Sequence, residues 1–216
     1  MARRKKEEPT IHRQAIANAA HELFSLKGID NTSMNEIAKL AGYSKATLYV
    51  YFADKEQLVS YLVLKSMKNL YEIINVQMQN KQKSVEERFF SLCRALYDYQ
   101  QQFPFYFALT QKEIRVADDL SDFIGEEKEC YEVGKNINAV IYEYLKEGKD
   151  KKIFRDDLKE FSTVFALWAM ISGVIAITAN KKNYIELSSQ ENIDVFLNYS
   201  FSLVYKSLLT WRLHIL

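Results

Sequence analysis

Apolar positions along the chain recur at helical spacing, three and four residues apart, and not in the alternation of a strand. Ile16, Ala19, Ala20, Leu23 and Phe24 form the first stripe, with Thr10 as its predicted N-cap and Gly28 as its stop. Met34, Ile37, Ala38 and Ala41 form the second. Ser33 and Glu36 open it as an S-x-x-E capping box, and Gly42 can close it in the left-handed conformation. Ser44 then caps a helix over Lys45–Phe52, in which Leu48 and Phe52 lie one turn apart and are predicted to be buried. Asp54 and Gln57 cap a long helix toward Gln79. Ser84 and Glu87 open another, with Phe89, Phe90, Cys93, Leu96 and Tyr97, which Pro104 breaks. Tyr131, Ile137, Val140, Ile141 and Leu145 continue a helix to near Gly148. Asp157 and Glu160 start the next, and Ser188 and Glu191 are predicted to cap the last. With six Gly and two Pro in 216 residues, hairpin-rich β folds are disfavoured and an all-α class is predicted.

Helix, short Gly-containing turn and helix over Thr32–Phe52 is the pattern of a helix-turn-helix, which lays its second helix in the DNA major groove. The face opposite Leu48 and Phe52 carries Lys45, Thr47, Tyr49 and, at its edge, Tyr51, with no carboxylate between Ser44 and Ala53. A polyanion can approach such a face without repulsion. Ser33, Ser44, Lys45, Tyr49 and Lys55 are the predicted phosphate contacts, and Lys45, Ala46, Thr47 and Tyr51 are predicted nearest the base edges.

From Ile11 to Leu62 the chain resembles the tetracycline-repressor (TetR) family. The matching residues are Ala19-Ala20, Leu23-Phe24, Gly28, Thr32-Ser33, Ile37-Ala38, Ala41-Gly42, Ser44, Thr47-Leu48-Tyr49, Phe52 and Lys55-Glu56, in that family's order and spacing. Ala46 and Tyr51 depart from it, where many members have Gly and His. The resemblance implies an N-terminal three-helix DNA-binding domain and a C-terminal helical domain for effector binding and dimerisation. A basic tail over 1–9, a DNA-binding domain over 10–67 and an effector and dimerisation domain over 68–216 are therefore expected.

Charge supports the division. Residues 1–55 hold nine Lys and Arg against six Asp and Glu, a balance of +3, while the remainder holds 20 against 22, a balance of −2. Arg3, Arg4, Lys5 and Lys6 lie in the tail, where Glu7 and Glu8 dilute them. The acidic run Asp118, Asp119, Asp122, Glu126, Glu127, Glu129 and Glu132 is best read as a solvated face, because His12, His21 and His214 are far from it in sequence. No metal or cofactor site is expected. Cys93 and Cys130 lack C-x-x-C spacing and are expected as free thiols. Phosphate-loop, G-x-S-x-G and H-E-x-x-H patterns are absent, so an enzyme is not expected. The N-terminus does not read as a signal peptide, and a cytoplasmic location is expected.

Phe161–Asn180 runs 20 residues without a charge, which is long enough to span a membrane. Ser162, Thr163, Ser172, Gly173, Thr178 and Asn180 make it only moderately apolar. A helix buried between a core and a second subunit explains the same pattern. A two-fold dimer is expected through Ile171, Val174, Ile175, Phe196, Tyr199, Leu203, Val204 and Trp211. The alternative is a membrane-associated DNA-binding or signalling protein anchored by this segment. Aromatic and soft side chains at helical spacing point to a small apolar or aromatic effector, with Leu62, Met67, Tyr71, Phe89, Cys93, Tyr97, Phe107, Tyr131, Phe165 and Trp168 as candidate liners. The resemblance implies that operator DNA is the partner such an effector releases.

Overall fold

The computed structural model describes residues 8–112 and 125–210. They form helices α1 (Pro9–Lys27), α2 (Met34–Ala41), α3 (Lys45–Tyr51), α4 (Lys55–Met78), α5 (Val85–Gln102), α6 (Pro104–Leu109), α7 (Gly125–Asp150), α8 (Glu160–Ser189) and α9 (Ile193–Lys206). Residues 1–7 of the basic tail, Asp118, Asp119, Asp122, Trp211 and His214 lie outside the described residues.

Most helix ends follow from local chemistry. The Ser33/Glu36 and Ser84/Glu87 capping boxes are both formed. The Gln57 amide donates to Asp54 Oδ1 at 2.7 Å, and the Ala53 amide donates to Gln57 Oε1 at 2.7 Å. Pro104 starts α6, where its missing N–H costs nothing. α7 ends at Asp150, near Gly148 as expected. Two ends differ from expectation. α1 begins at Pro9, so Thr10 lies inside it and caps nothing. α8 runs through a kink at Lys181 to Ser189, and the cap of α9 is Asn192, whose side chain accepts from the Val195 amide at 3.0 Å. Ser188 and Glu191 do not cap it.

Two compact units divide the chain. The first runs to Lys68 and includes Phe105–Tyr131. Ile16, Ala20 and Phe24 of α1, Ile37 and Ala38 of α2, Leu48 of α3, Phe52, and Leu58 and Leu62 of α4 are its buried apolar residues around the helix-turn-helix. Arg13 lies over the Phe52 ring at 4.5 Å and pairs with Glu126, while Glu129 pairs with Lys68 at 2.7 Å. Two acidic residues of the run are thereby tied to cations of the same unit.

The second unit holds Asn69–Pro104 and the chain from Glu132. There α5 packs on α8 and α9, and α8 packs on α9. Val85, Phe89, Cys93 and Leu96, Tyr144 and Leu145, Leu167, Ile171 and Ile175, and Leu197, Phe201 and Val204 are buried in it. Arg88 is fully buried and donates to Met78 O at 2.8 Å and to Glu147 Oε1 at 2.5 Å. α8 is long and apolar enough to cross a membrane. Its Thr163, Val164, Leu167, Ile171, Ser172, Ile175 and Thr178 are nevertheless buried within the subunit.

Candidate nucleic-acid interface

The turn between α2 and α3 is set by Gly42, which adopts φ 76°. That left-handed conformation is cheap only without a Cβ. The Tyr43 amide then reaches back to Ala38 O at 2.9 Å, closing α2 and turning the chain into α3. Ser44 caps α3 by accepting from the Thr47 amide at 3.0 Å.

Within this frame the expected DNA-contacting residues separate. Lys45, Ala46 and Tyr49 are exposed together on the outer face of α3, with Lys45 Nζ 5.8 Å from the Tyr49 ring centre. Ser33 and Ser44 are exposed, but their hydroxyls serve as helix caps. Thr47 Oγ1 lies 2.8 Å from Ser44 Oγ, which turns it toward the cap. Tyr51 tilts its ring against His12, centroids 5.2 Å apart, and His12 Nδ1 lies 2.8 Å from Tyr43 Oη. That contact draws Tyr51 away from the outer face.

Lys55 is committed elsewhere. Its ammonium donates to Ile29 O at 2.8 Å and to Thr32 O at 3.2 Å, fastening α4 to the turn that precedes α2. The phosphate role expected of it competes with this use. Glu36, an acid within the motif, has its carboxyl pKa lowered to about 2 by the Lys27 ammonium at 2.5 Å and then by the Ser33 cap. It therefore stays charged, but it belongs to the α2 end and not to the face of α3. Sequence reasoning missed Val50, which is 78% exposed on α3. The available signal was its position one turn after Ala46.

Residues 16–62 match the model of the bacterial regulatory proteins of the tetR family. Those residues are a tetR-type DNA-binding domain.

TetR-family regulators are DNA-binding proteins and not enzymes. The transcriptional regulator AcrR of Shigella flexneri is 41% identical over 73 residues, which are 34% of this chain and 34% of that protein. The match thus spans about a third of that relative's length. A tetR-family transcription regulator of Shewanella sp. PV-4 shares the fold, with a TM-score of 0.68 at 18% identity over 93% of this chain and 99% of that one. FadR of Bacillus subtilis, solved in complex with stearoyl-CoA, does so with a TM-score of 0.66 at 17% identity, over 90% and 98% of the two chains.

The residues expected to serve the tetR-type C-terminal domain fall in both units. Of the effector candidates, Leu62, Met67, Phe107 and Tyr131 belong to the first unit and Tyr71, Phe89, Cys93, Tyr97, Phe165 and Trp168 to the second. Phe89, Cys93 and Tyr97 are buried and Tyr71 and Trp168 half-buried. Phe165 departs from expectation: it is 47% exposed and its ring is tilted against that of Phe161, with centroids 4.8 Å apart. Of the dimer candidates, Tyr199 and Leu203 are exposed, and Val174 and Phe196 are half-buried. Ile171, Ile175 and Val204 are closed into the subunit's own core, where α5, α8 and α9 pack together.

Proposed function

We propose that the chain is a homodimeric transcriptional repressor that binds operator DNA through α3 and is released by a small apolar or aromatic effector. The observation that carries the DNA reading is the outer face of α3. Residues 37–53 hold Lys39 and Lys45, both exposed, and no carboxylate. Phosphate attraction supplies most of the affinity of such a module, and a single half-site is too weak a target for one copy.

The second copy would be held by an apolar surface that the subunit leaves uncovered. Phe161, Phe165, Met170 and Ile177 of α8 and Val195, Tyr199 and Leu203 of α9 are all exposed. Paired about a two-fold axis, these helices make a four-helix bundle, whose burial is worth about 25 cal/mol per Å² of apolar surface. That arrangement also accounts for the apolar outer side of α8 without a membrane, and the protein acts in the cytoplasm on this reading.

The effector reading is supported by the aromatic and thiol side chains in the second unit and by the stearoyl-CoA held by FadR of the same fold. α4 is continuous from the helix-turn-helix unit into the second unit. An effector that favours one position of α4 shifts operator affinity only by its preference for that state, and operator DNA must weaken the effector by the same factor. The test selects an operator from random duplex DNA. Apolar and aromatic compounds are then titrated against tryptophan fluorescence, with and without that operator. Tighter binding without operator is expected; equal binding in both conditions would end the allosteric claim.

A further inference from the structure

We infer that α3 reads its site chiefly through thymine methyl groups, which Ala46 and Val50 touch. This rests on the proposal that the chain binds DNA. Base pairs in the major groove differ in hydrogen-bonding edges and in the methyl group of thymine. Strong edge reading uses Arg, Asn, Gln or Lys in two-pronged contacts. Among the residues of α3 only Lys45 is of that kind, and it stands at the first position of the helix. Thr47 turns its hydroxyl toward the Ser44 cap at 2.8 Å, and Tyr51 packs on His12.

Beside Lys45 and Tyr49, what remains outermost is apolar. Ala46 and Val50 lie one turn apart on the exposed side, and Val50 leaves 78% of its surface in water. A single exposed valine needs no explanation. Two apolar positions one turn apart on the outer face of a helix that opens on Lys45, with no carboxylate over residues 37–53, call for a partner that is anionic and also presents apolar groups. Duplex DNA with thymines in the major groove is that partner.

The experiment uses the full chain and an operator selected from random duplexes. Each thymine is replaced in turn by uracil, which removes the methyl and leaves every hydrogen-bonding group. Burying one methyl group is worth about fourfold in affinity. At one or two positions per half-site, uracil is expected to weaken binding about fourfold, and about fifteenfold when both half-sites are changed. Val50→Ala is expected to remove that thymine preference at one position while leaving the thermal melt unchanged. Equal binding of thymine and uracil duplexes overturns the methyl contact although operator binding stands. A preference unchanged in both Val50→Ala and Ala46→Ser overturns the assignment to these residues. Failure to select any duplex overturns this inference together with the DNA reading beneath it.

Discussion

The ring of Phe154 lies against the α-carbon of Gly148, so close that a Cβ built on that glycine would sit 2.0 Å from the ring. The Phe154 amide donates back to Gly148 O at 3.0 Å, and the segment after it joins the end of α9, with the Arg155 amide donating to Leu208 O at 2.9 Å. Gly148 is thus the point where α7 accepts the returning chain. Gly148→Ala is expected to destabilise the fold by about 1–2 kcal/mol, overpacking outweighing the helix preference for alanine. Gly134→Ala on the same helix meets nothing within 4 Å and is expected to stabilise by about 0.5–1 kcal/mol. Urea denaturation of both variants measures the contrast.

Glu147 gathers three cations: Arg88 at 2.5 Å, Lys81 at 2.7 Å and Lys151 at 2.8 Å. The Arg88 hydrogen bond, followed by those of Lys151 and Lys81, holds its carboxyl well below the usual range against the opposing effect of burial. A depressed carboxyl contributes stability that is complete above its unfolded value and fades as pH falls through the folded one. Glu147→Gln is therefore expected to cost about 2 kcal/mol at pH 7. The gap to the parent should narrow as pH drops below about 4.5. Unfolding followed at pH 7 and pH 3 checks the sign.

Leu203 and Val204 are neighbours with opposite surroundings, one 51% and the other 4% exposed. Leu203→Glu is expected to leave a folded chain that sediments as a monomer and loses operator binding. Val204→Glu places an uncompensated charge in the core and is expected to unfold the subunit, at a cost of more than about 3 kcal/mol. Sedimentation paired with far-UV circular dichroism distinguishes the two. Retention of the dimer by Leu203→Glu would show that another surface holds it.

Lys45 and Lys55 separate binding from stability. Lys45→Ala is expected to weaken all duplexes alike and to lower the salt slope by about 0.9 for each phosphate no longer neutralised. Lys55→Ala removes the ties to Ile29 O and Thr32 O. It is expected to lower the melting temperature, at a cost of about 1–3 kcal/mol. Melting curves beside binding isotherms at several salt concentrations tell them apart.

Helix ends defined by groups within four residues were legible in the sequence: the Ser33/Glu36 and Ser84/Glu87 boxes, the Ser44 cap and the left-handed Gly42 all satisfy their own backbone neighbours. Such chemistry is written within four residues of itself, although the short helices it bounds still need the core around Ile37 and Leu48. Elsewhere the pattern was silent. α8 is apolar on nearly every side, so spacing could not say that Ile171 and Ile175 face inward while Phe165 faces out. That choice depends on which side of α8 meets α5 and α9. Lys55 reads as a surface cation until the fold brings Ile29 O and Thr32 O, more than twenty residues earlier, to its ammonium. Tyr51 likewise reads as a residue at the edge of the DNA face until His12 of α1 arrives beside it. Contacts between residues distant in sequence decided these fates, because only the folded chain fixes which polar groups come within reach of one another.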